Sequence, residues 1–280
     1  MSEYFANNAF MTMHDTNFNA NSYLYHYSSF EKATKIIFNN NLRFSNIFNL
    51  NDTTEYKPKI IFSKNSNNEK REAIYKCCQD INRHIKICCF TQDNEKIRRF
   101  KKQNDMYFTD YTGRGFALPR MWAQYATNNK GVCFILNKSL LEKEISGRFK
   151  IIYAGAITYV ERYKCFRFTS KTISDFSNQV LSRNTKDSIV AANFFSEYPD
   201  YIKENYFTKL LDWRNENEYR IALFSRDGEN LSINNLNHFL EGIIVGEDID
   251  ETDETIIKKL LKHHVPIKKI IFLNRYITLK

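Results

Sequence analysis

Glycine and proline are scarce: 8 and 4 of 280 residues. Long flexible linkers depend on such residues, so the chain is expected to pack rather than to string out. Six cysteines are too few for a disulfide scaffold at this length. No apolar run reaches the roughly 20 residues of a membrane-spanning helix, and no secretory apolar region opens the sequence, so the expected setting is a reducing cytoplasm. Familiar catalytic signatures are missing too. There is no P-loop and no Rossmann fingerprint. There is no His-Glu-x-x-His and no Gly-x-Ser-x-Gly elbow. Cys-x-x-Cys spacing is absent. Neighbours such as Cys77-Cys78 and Cys88-Cys89 would point to opposite faces of a strand, so reduced buried thiols and no metal site are expected. His263-His264 reads as a helix-end dipole partner rather than a ligand pair.

Rings and positive charge are abundant. The chain has 17 Tyr and 23 Phe, enough to fill a core and wall a pocket. Its net charge of +9 favours anionic partners such as nucleic acid, nucleotides or an anionic membrane, without choosing among them. Lys96, Arg98, Arg99, Lys101 and Lys102, interleaved with Ile97 and Phe100, suit DNA or RNA backbone contact; they suit a solvated helix face equally well.

Residues 1–21 read as an arm, held loosely or docked through Phe5, Phe10 and Phe18. Beyond it, apolar periodicity predicts strands over 22–27, 42–45, 85–90, 131–136, 150–160, 216–224, 242–246 and 267–273. Helices are predicted over 31–39, capped by Ser28 or Ser29, and over 69–82, 93–103, 174–205 and 252–264. Strands and helices mix without strict alternation and no boundary interrupts them, so the reading is one α+β domain over 22–280.

The stretch Trp-Arg-Asn-Glu-Asn-Glu-Tyr-Arg, residues 213–220, is the most informative. Read as the start of a strand, it puts Glu216, Glu218 and Arg220 on one face and Tyr219, Ile221 and Leu223 on the other, toward a core. Two carboxylates side by side repel unless a cation, a hydroxyl or a developing positive charge uses them; lysine pairing on a solvated edge would also serve. His26, between Tyr25 and Tyr27, could meet a ribose hydroxyl or sit satisfied in the core. Arg43 could clamp a pyrophosphate. Asp52 suits turn capping. Trp122 and Tyr125 share a helical face and either pack the core or wall a pocket.

Taken in order, these constellations resemble a widespread bacterial family labelled a domain of unknown function (DUF2971). Its members show Leu-Tyr-His-Tyr-Thr-Ser, Leu-Arg-Phe-Ser, Asn-Asp-Pro-x-Glu, Met-Trp-x-x-Tyr-Ala with a Gly-Val-Cys strand, and Trp-x-x-Glu-x-Glu-x-Arg. The chain matches at 24–29, 42–45, 51–55 and 121–134, and at Lys209 with 213–220. It departs at Thr53, where the family has Pro, at Ser28 for Thr, and in a longer basic insertion between Phe90 and Met121. The motifs are specific as a set and weak singly.

The family's opening strand–helix–strand is in turn similar to the ADP-ribosyltransferase superfamily. That resemblance implies two packed, curved β-sheets with flanking helices, and NAD as substrate. It implies that His26 binds the ribose, that Arg43 or Ser45 sits by the diphosphate or nicotinamide, and that Tyr27, Trp122 and Tyr125 are among the NAD-binding residues. Glu218 would be catalytic and Glu216 would polarise the acceptor. The function implied is ADP-ribosyl transfer or NAD hydrolysis, in the manner of a phage-defence or toxin effector. The alternatives are a metal-dependent nuclease built on Asp52, Glu55, Glu216 and Glu218, and a non-catalytic nucleic-acid or nucleotide-binding module.

Overall fold

The computed structural model describes residues 9–13, 15, 18–57, 59–61, 68–94, 109–149, 151–163, 166–167, 197, 199–261, 265–274 and 276–280. The basic block from Lys96 to Lys102, most of the helix expected over 174–205, His263-His264 and Phe5 lie outside these residues.

The strands are β1 Tyr23–Ser28, β2 Asn41–Asn46, β3 Ile60–Ile61, β4 Ile85–Thr91, β5 Val132–Asn137, β6 Ile151–Ala156, β7 Thr158–Val160, β8 Phe166–Arg167, β9 Thr208–Leu210, β10 Glu218–Phe224, β11 Leu231–Asn234, β12 Leu240–Val245, β13 Ile267–Phe272 and β14 Ile277–Leu279. The helices are α1 Phe30–Phe38, α2 Asn68–His84, α3 Pro119–Tyr125, α4 Lys138–Ser146, α5 Pro199–Tyr206, α6 Leu236–Phe239 and α7 Glu251–Leu260. Local chemistry explains several boundaries. The Ser29 side chain caps α1 by accepting from Lys32 N, and Asn137 caps α4 by accepting from Leu140 N. Proline opens α3, where its missing N–H costs nothing. α7 carries Glu251, Asp253 and Glu254 in its first turn and Lys258 and Lys259 in its last, in line with its dipole.

Ten strands join in one curled, mixed sheet that branches at β4. One edge of β4 pairs with β10, which continues to β6. The other edge is shared: β2 takes its first half and β1 its end. β11 lies beyond β2, and β5, β12, β13 and β14 follow β1. The pairings are antiparallel except β12 with β13. Two short parallel ribbons, β3–β8 and β7–β9, stand apart. The α+β class is as expected, with ten of the described strands in one curled sheet and helices flanking it.

One face of the sheet buries Leu24, Phe90, Phe134, Tyr219, Ile221 and Leu223 with α1, α4 and α7. The opposite face carries two clusters: Ile85, Ile87 and Ala222 with Tyr201 and Tyr206 of α5, and Tyr25, Tyr27, Phe116, Trp122 and Ile135. The second of these also takes in Ala9, Met13, Phe18 and Ala20, so the arm contributes these four residues to the core. Arg114 anchors it. This wholly buried guanidinium donates to the Ala9 carbonyl at 2.9 Å and to that of Met11, and pairs with Asp93 at 3.1 Å. The Tyr25 hydroxyl joins the pair, 2.7 Å from Arg114 and 2.9 Å from Asp93. Gly115 makes room for this arrangement, since a Cβ there would fall 2.2 Å from the Tyr25 ring.

Candidate functional site

β10 starts at Glu218, two residues later than the sequence suggests, because Leu211–Glu216 forms a 3-10 helix. Between the two glutamates Asn217 adopts a left-handed conformation, φ 44° and ψ 52°, which asparagine tolerates better than most residues. Its side chain donates to the carbonyls of Gln92 at 2.9 Å and Asp93 at 3.1 Å. Glu216 and Glu218 do meet, as strand alternation predicts, but a turn brings them together rather than a pleat.

They meet on Lys209, from β9. Its Nζ lies 2.7 Å from Glu216 Oε2, 3.1 Å from Glu218 Oε2 and 3.6 Å from Glu55 Oε1. Arg220 binds Glu218 through Nε and, at 3.1 Å, through Nη2; its Nη1 pairs with Glu55 and donates to the Tyr206 carbonyl at 2.8 Å. None of these five charged residues is more than 5% exposed. Half-buried rings form the rim. The Tyr125 hydroxyl donates to Glu216 Oε1 at 2.7 Å, and the Tyr159 hydroxyl accepts from the Glu218 N–H at 2.9 Å. Lys209 sits 4.4 Å from the centre of the Trp213 ring, with exposed Arg120 at 5.6 Å from the same ring.

Burial alone would push the Glu218 carboxyl up, but Arg220 and Lys209 outweigh it and hold it down at about 2. Burial works against the Lys209 charge too, and Glu218 and Glu55 reverse that, so its ammonium is held above the usual lysine range. Burial, then the neighbouring Glu216, raises Tyr125, so it stays a hydrogen-bond donor. Burial, then Glu218, raises the half-buried Cys89 thiol, which keeps it protonated on the same face.

The loop before β3 closes the cluster. Asp52 Oδ1 accepts from Thr54 N at 2.8 Å and Thr54 Oγ1 at 2.7 Å, the turn-capping role its sequence suggests. Lys59 donates to the carbonyls of Asn205 at 3.1 Å and Thr208 at 3.2 Å and lies over the Tyr163 ring at 3.9 Å; burial lowers its pKa to about 8.

Several residues assigned to the same pocket stand elsewhere. Register explains His26: Tyr25 of β1 and Glu218 of β10 both pair with Thr91 of β4, so Tyr25 shares the Glu218 face and His26 takes the other. There the half-buried imidazole packs 5.9 Å from the Phe90 ring and 6.4 Å from the Phe134 ring, and burial lowers its pKa. Tyr27 is core, its hydroxyl donating to the Gly115 carbonyl at 2.8 Å. Trp122 is core as well, its indole N–H on the Phe116 carbonyl at 2.7 Å and its ring edge-on to Tyr27. Arg43 is exposed, paired through its backbone with Ser232 of β11. Ser45 is on the cluster's face but pairs with Ile87, four residues and so about 13 Å along β4 from Thr91. Of the proposed binding residues, Tyr125 alone reaches the glutamates. Lys209, which only the resemblance flagged, is the hub.

The fold and cluster thus define a mixed α+β protein with a buried charged centre near the end of its main sheet. Residues 121–221 match the family described as "Protein of unknown function (DUF2971)". The match spans Tyr125, Lys209, Glu216, Glu218 and Arg220, with Asp52 and Glu55 outside it. No curated protein matches the chain, and no solved structure does. Among the described residues no group of three His, Cys, Asp or Glu side chains is arranged to hold a metal ion, and no helix is long and apolar enough to cross a membrane.

Proposed function

We propose that the cluster is the catalytic centre of an enzyme that cleaves the nicotinamide glycosidic bond of NAD, as a glycohydrolase or an ADP-ribosyltransferase. The observation that carries this reading is the placement of Glu218, a buried carboxylate fixed between Arg220 and Lys209. A carboxyl held near pKa 2 is ionised throughout the physiological range and cannot serve as a general acid. It suits a reaction whose leaving group departs without being protonated. The pyridinium of NAD is such a group, whereas an ordinary glycosidic oxygen needs an acid. A fixed anion beside the sugar stabilises the oxocarbenium-like charge that develops as the bond breaks.

Charge balance supports the same reading. Four buried carboxylates, Asp52, Glu55, Glu216 and Glu218, face three buried cations, Lys59, Lys209 and Arg220. One negative charge is in excess, which a cationic ring would offset. The rim rings of Tyr125, Tyr159 and Trp213 suit stacking on a flat heterocycle. His26 has no part in this version of the site. In the nuclease reading a divalent cation would have to displace Lys209 from between Glu216 and Glu218, at 2.7 and 3.1 Å.

The test is release of nicotinamide from NAD by the purified protein, with and without chelator. Release that survives chelator and disappears in Glu218→Gln supports the reading. Equal turnover by Glu218→Gln overturns it, and chelator-sensitive cleavage of DNA or RNA with no nicotinamide release would favour the nuclease.

A further inference from the structure

Two oxygens at this centre lack the partners that buried polar atoms are expected to have. Asp52 is 7% exposed and Thr91 is 1% exposed, and both Asp52 Oδ2 and Thr91 Oγ1 are buried without a hydrogen bond. An unsatisfied buried oxygen costs about 1–3 kcal/mol, so its persistence calls for an explanation. Their placement supplies one. Thr91 pairs directly with Glu218 across β4 and β10, which puts its side chain on the Glu218 face. Asp52 lies on the loop that delivers Glu55 to Lys209 and Arg220, and Glu55 N donates to the Asp52 carbonyl at 3.1 Å. Asp52 Oδ1 is already used by Thr54, so the free oxygen belongs to a carboxylate whose direction is fixed.

We infer that Asp52 Oδ2 and Thr91 Oγ1 are ligand contacts that read the hydroxyl groups of a bound sugar, Asp52 as acceptor and Thr91 as donor or acceptor. The identity of that sugar as the ribose of NAD rests on the glycoside reading above; the contacts themselves rest on the unsatisfied atoms. A carboxylate oxygen selects a donor, and a sugar hydroxyl donates while a phosphate or a carbonyl does not. Turn capping uses one oxygen of Asp52 and leaves the other for this role.

The experiment uses the full chain and ADP-ribose, which carries the sugars and diphosphate but has no bond left to cleave, with free nicotinamide as the sugar-free control; both are titrated by calorimetry. Asp52→Asn keeps an oxygen for Thr54 and replaces the free acceptor with an amide donor. Thr91→Val removes the hydroxyl at constant shape, and Thr91→Ser keeps it. ADP-ribose should bind Asp52→Asn and Thr91→Val about tenfold more weakly than wild type, Thr91→Ser should bind normally, and nicotinamide should not distinguish them. A water in place of the sugar would turn to accept from the new amide, so unchanged ADP-ribose affinity in both variants, with melting temperatures retained, overturns the inference. So does a wild-type protein that does not bind ADP-ribose. Weakened ADP-ribose binding in a protein that releases no nicotinamide would uphold these contacts while removing the catalytic reading.

Discussion

Asn217 and Gln92 hold each other through two hydrogen bonds of 2.9 Å, one from the Asn217 amide to the Gln92 carbonyl and one from the Gln92 N–H to the Asn217 carbonyl. This link fixes the left-handed turn between Glu216 and Glu218, and with it the geometry of both carboxylates at Lys209. Asn217→Ala loses the side-chain bonds and must also hold a left-handed conformation at a cost of about 1–2 kcal/mol. Asn217→Gly loses the bonds alone. Thermal unfolding should therefore rank wild type above Asn217→Gly above Asn217→Ala, and an alanine variant as stable as the glycine variant would mean that the turn is not held in this conformation.

Lys209→Met should be among the most damaging substitutions in the chain. It leaves Glu216 and Glu218 buried without their shared cation, and removing one partner of a buried ion pair costs about 3–5 kcal/mol. Urea denaturation measures it; a loss below about 1 kcal/mol would show that water reaches the cluster and screens it.

Glu218 predicts a pH dependence. Its carboxyl has a lower pKa in the fold, about 2, than its ordinary value of 4.5, so the folded state favours the ionised form. The resulting stabilisation is fully present above pH 4.5 and is lost as pH falls through that window toward 2. The expected size is on the order of 3 kcal/mol. Unfolding free energies of wild type and Glu218→Gln should converge as pH drops from 5 to 2. Parallel curves over that range would contradict the ion-pair assignment.

His26→Ala should lower the melting temperature through lost packing on Phe90 and Phe134. The affinity for NAD or ADP-ribose should not change, because the ring occupies the far face of the sheet. A selective loss of ligand affinity at constant stability would instead place a binding surface on that face.

How much of this was legible in the sequence differs from one residue to the next. The partition of β10 into Glu218 and Arg220 on one face and Tyr219, Ile221 and Leu223 on the other follows from alternation, and the structure keeps it. Tyr25 and His26 show where such reasoning stops. Alternation says that neighbours differ, but not which of them shares a face with a residue nearly two hundred positions away. The register of β1 and β10 against Thr91 decides that, and no local pattern encodes it. The Asn217 turn had a faint signal in asparagine's tolerance of positive φ. Arg114 had almost none, sitting in a segment without periodicity between Gly113 and Gly115. Lys209 is a lone lysine in a short strand, and its importance depends on the three acids that converge on it in space.

The Arg114 clamp also has a consequence for biosynthesis. Ala9 leaves the ribosome 105 residues before the guanidinium that receives its carbonyl. At typical elongation rates of about 5–20 residues per second, the nascent apolar stretch through Met13 and Phe18 waits roughly 5–20 seconds for its anchor. During that interval the stretch has no anchor, so slower elongation before Arg114 lengthens the time it stays exposed.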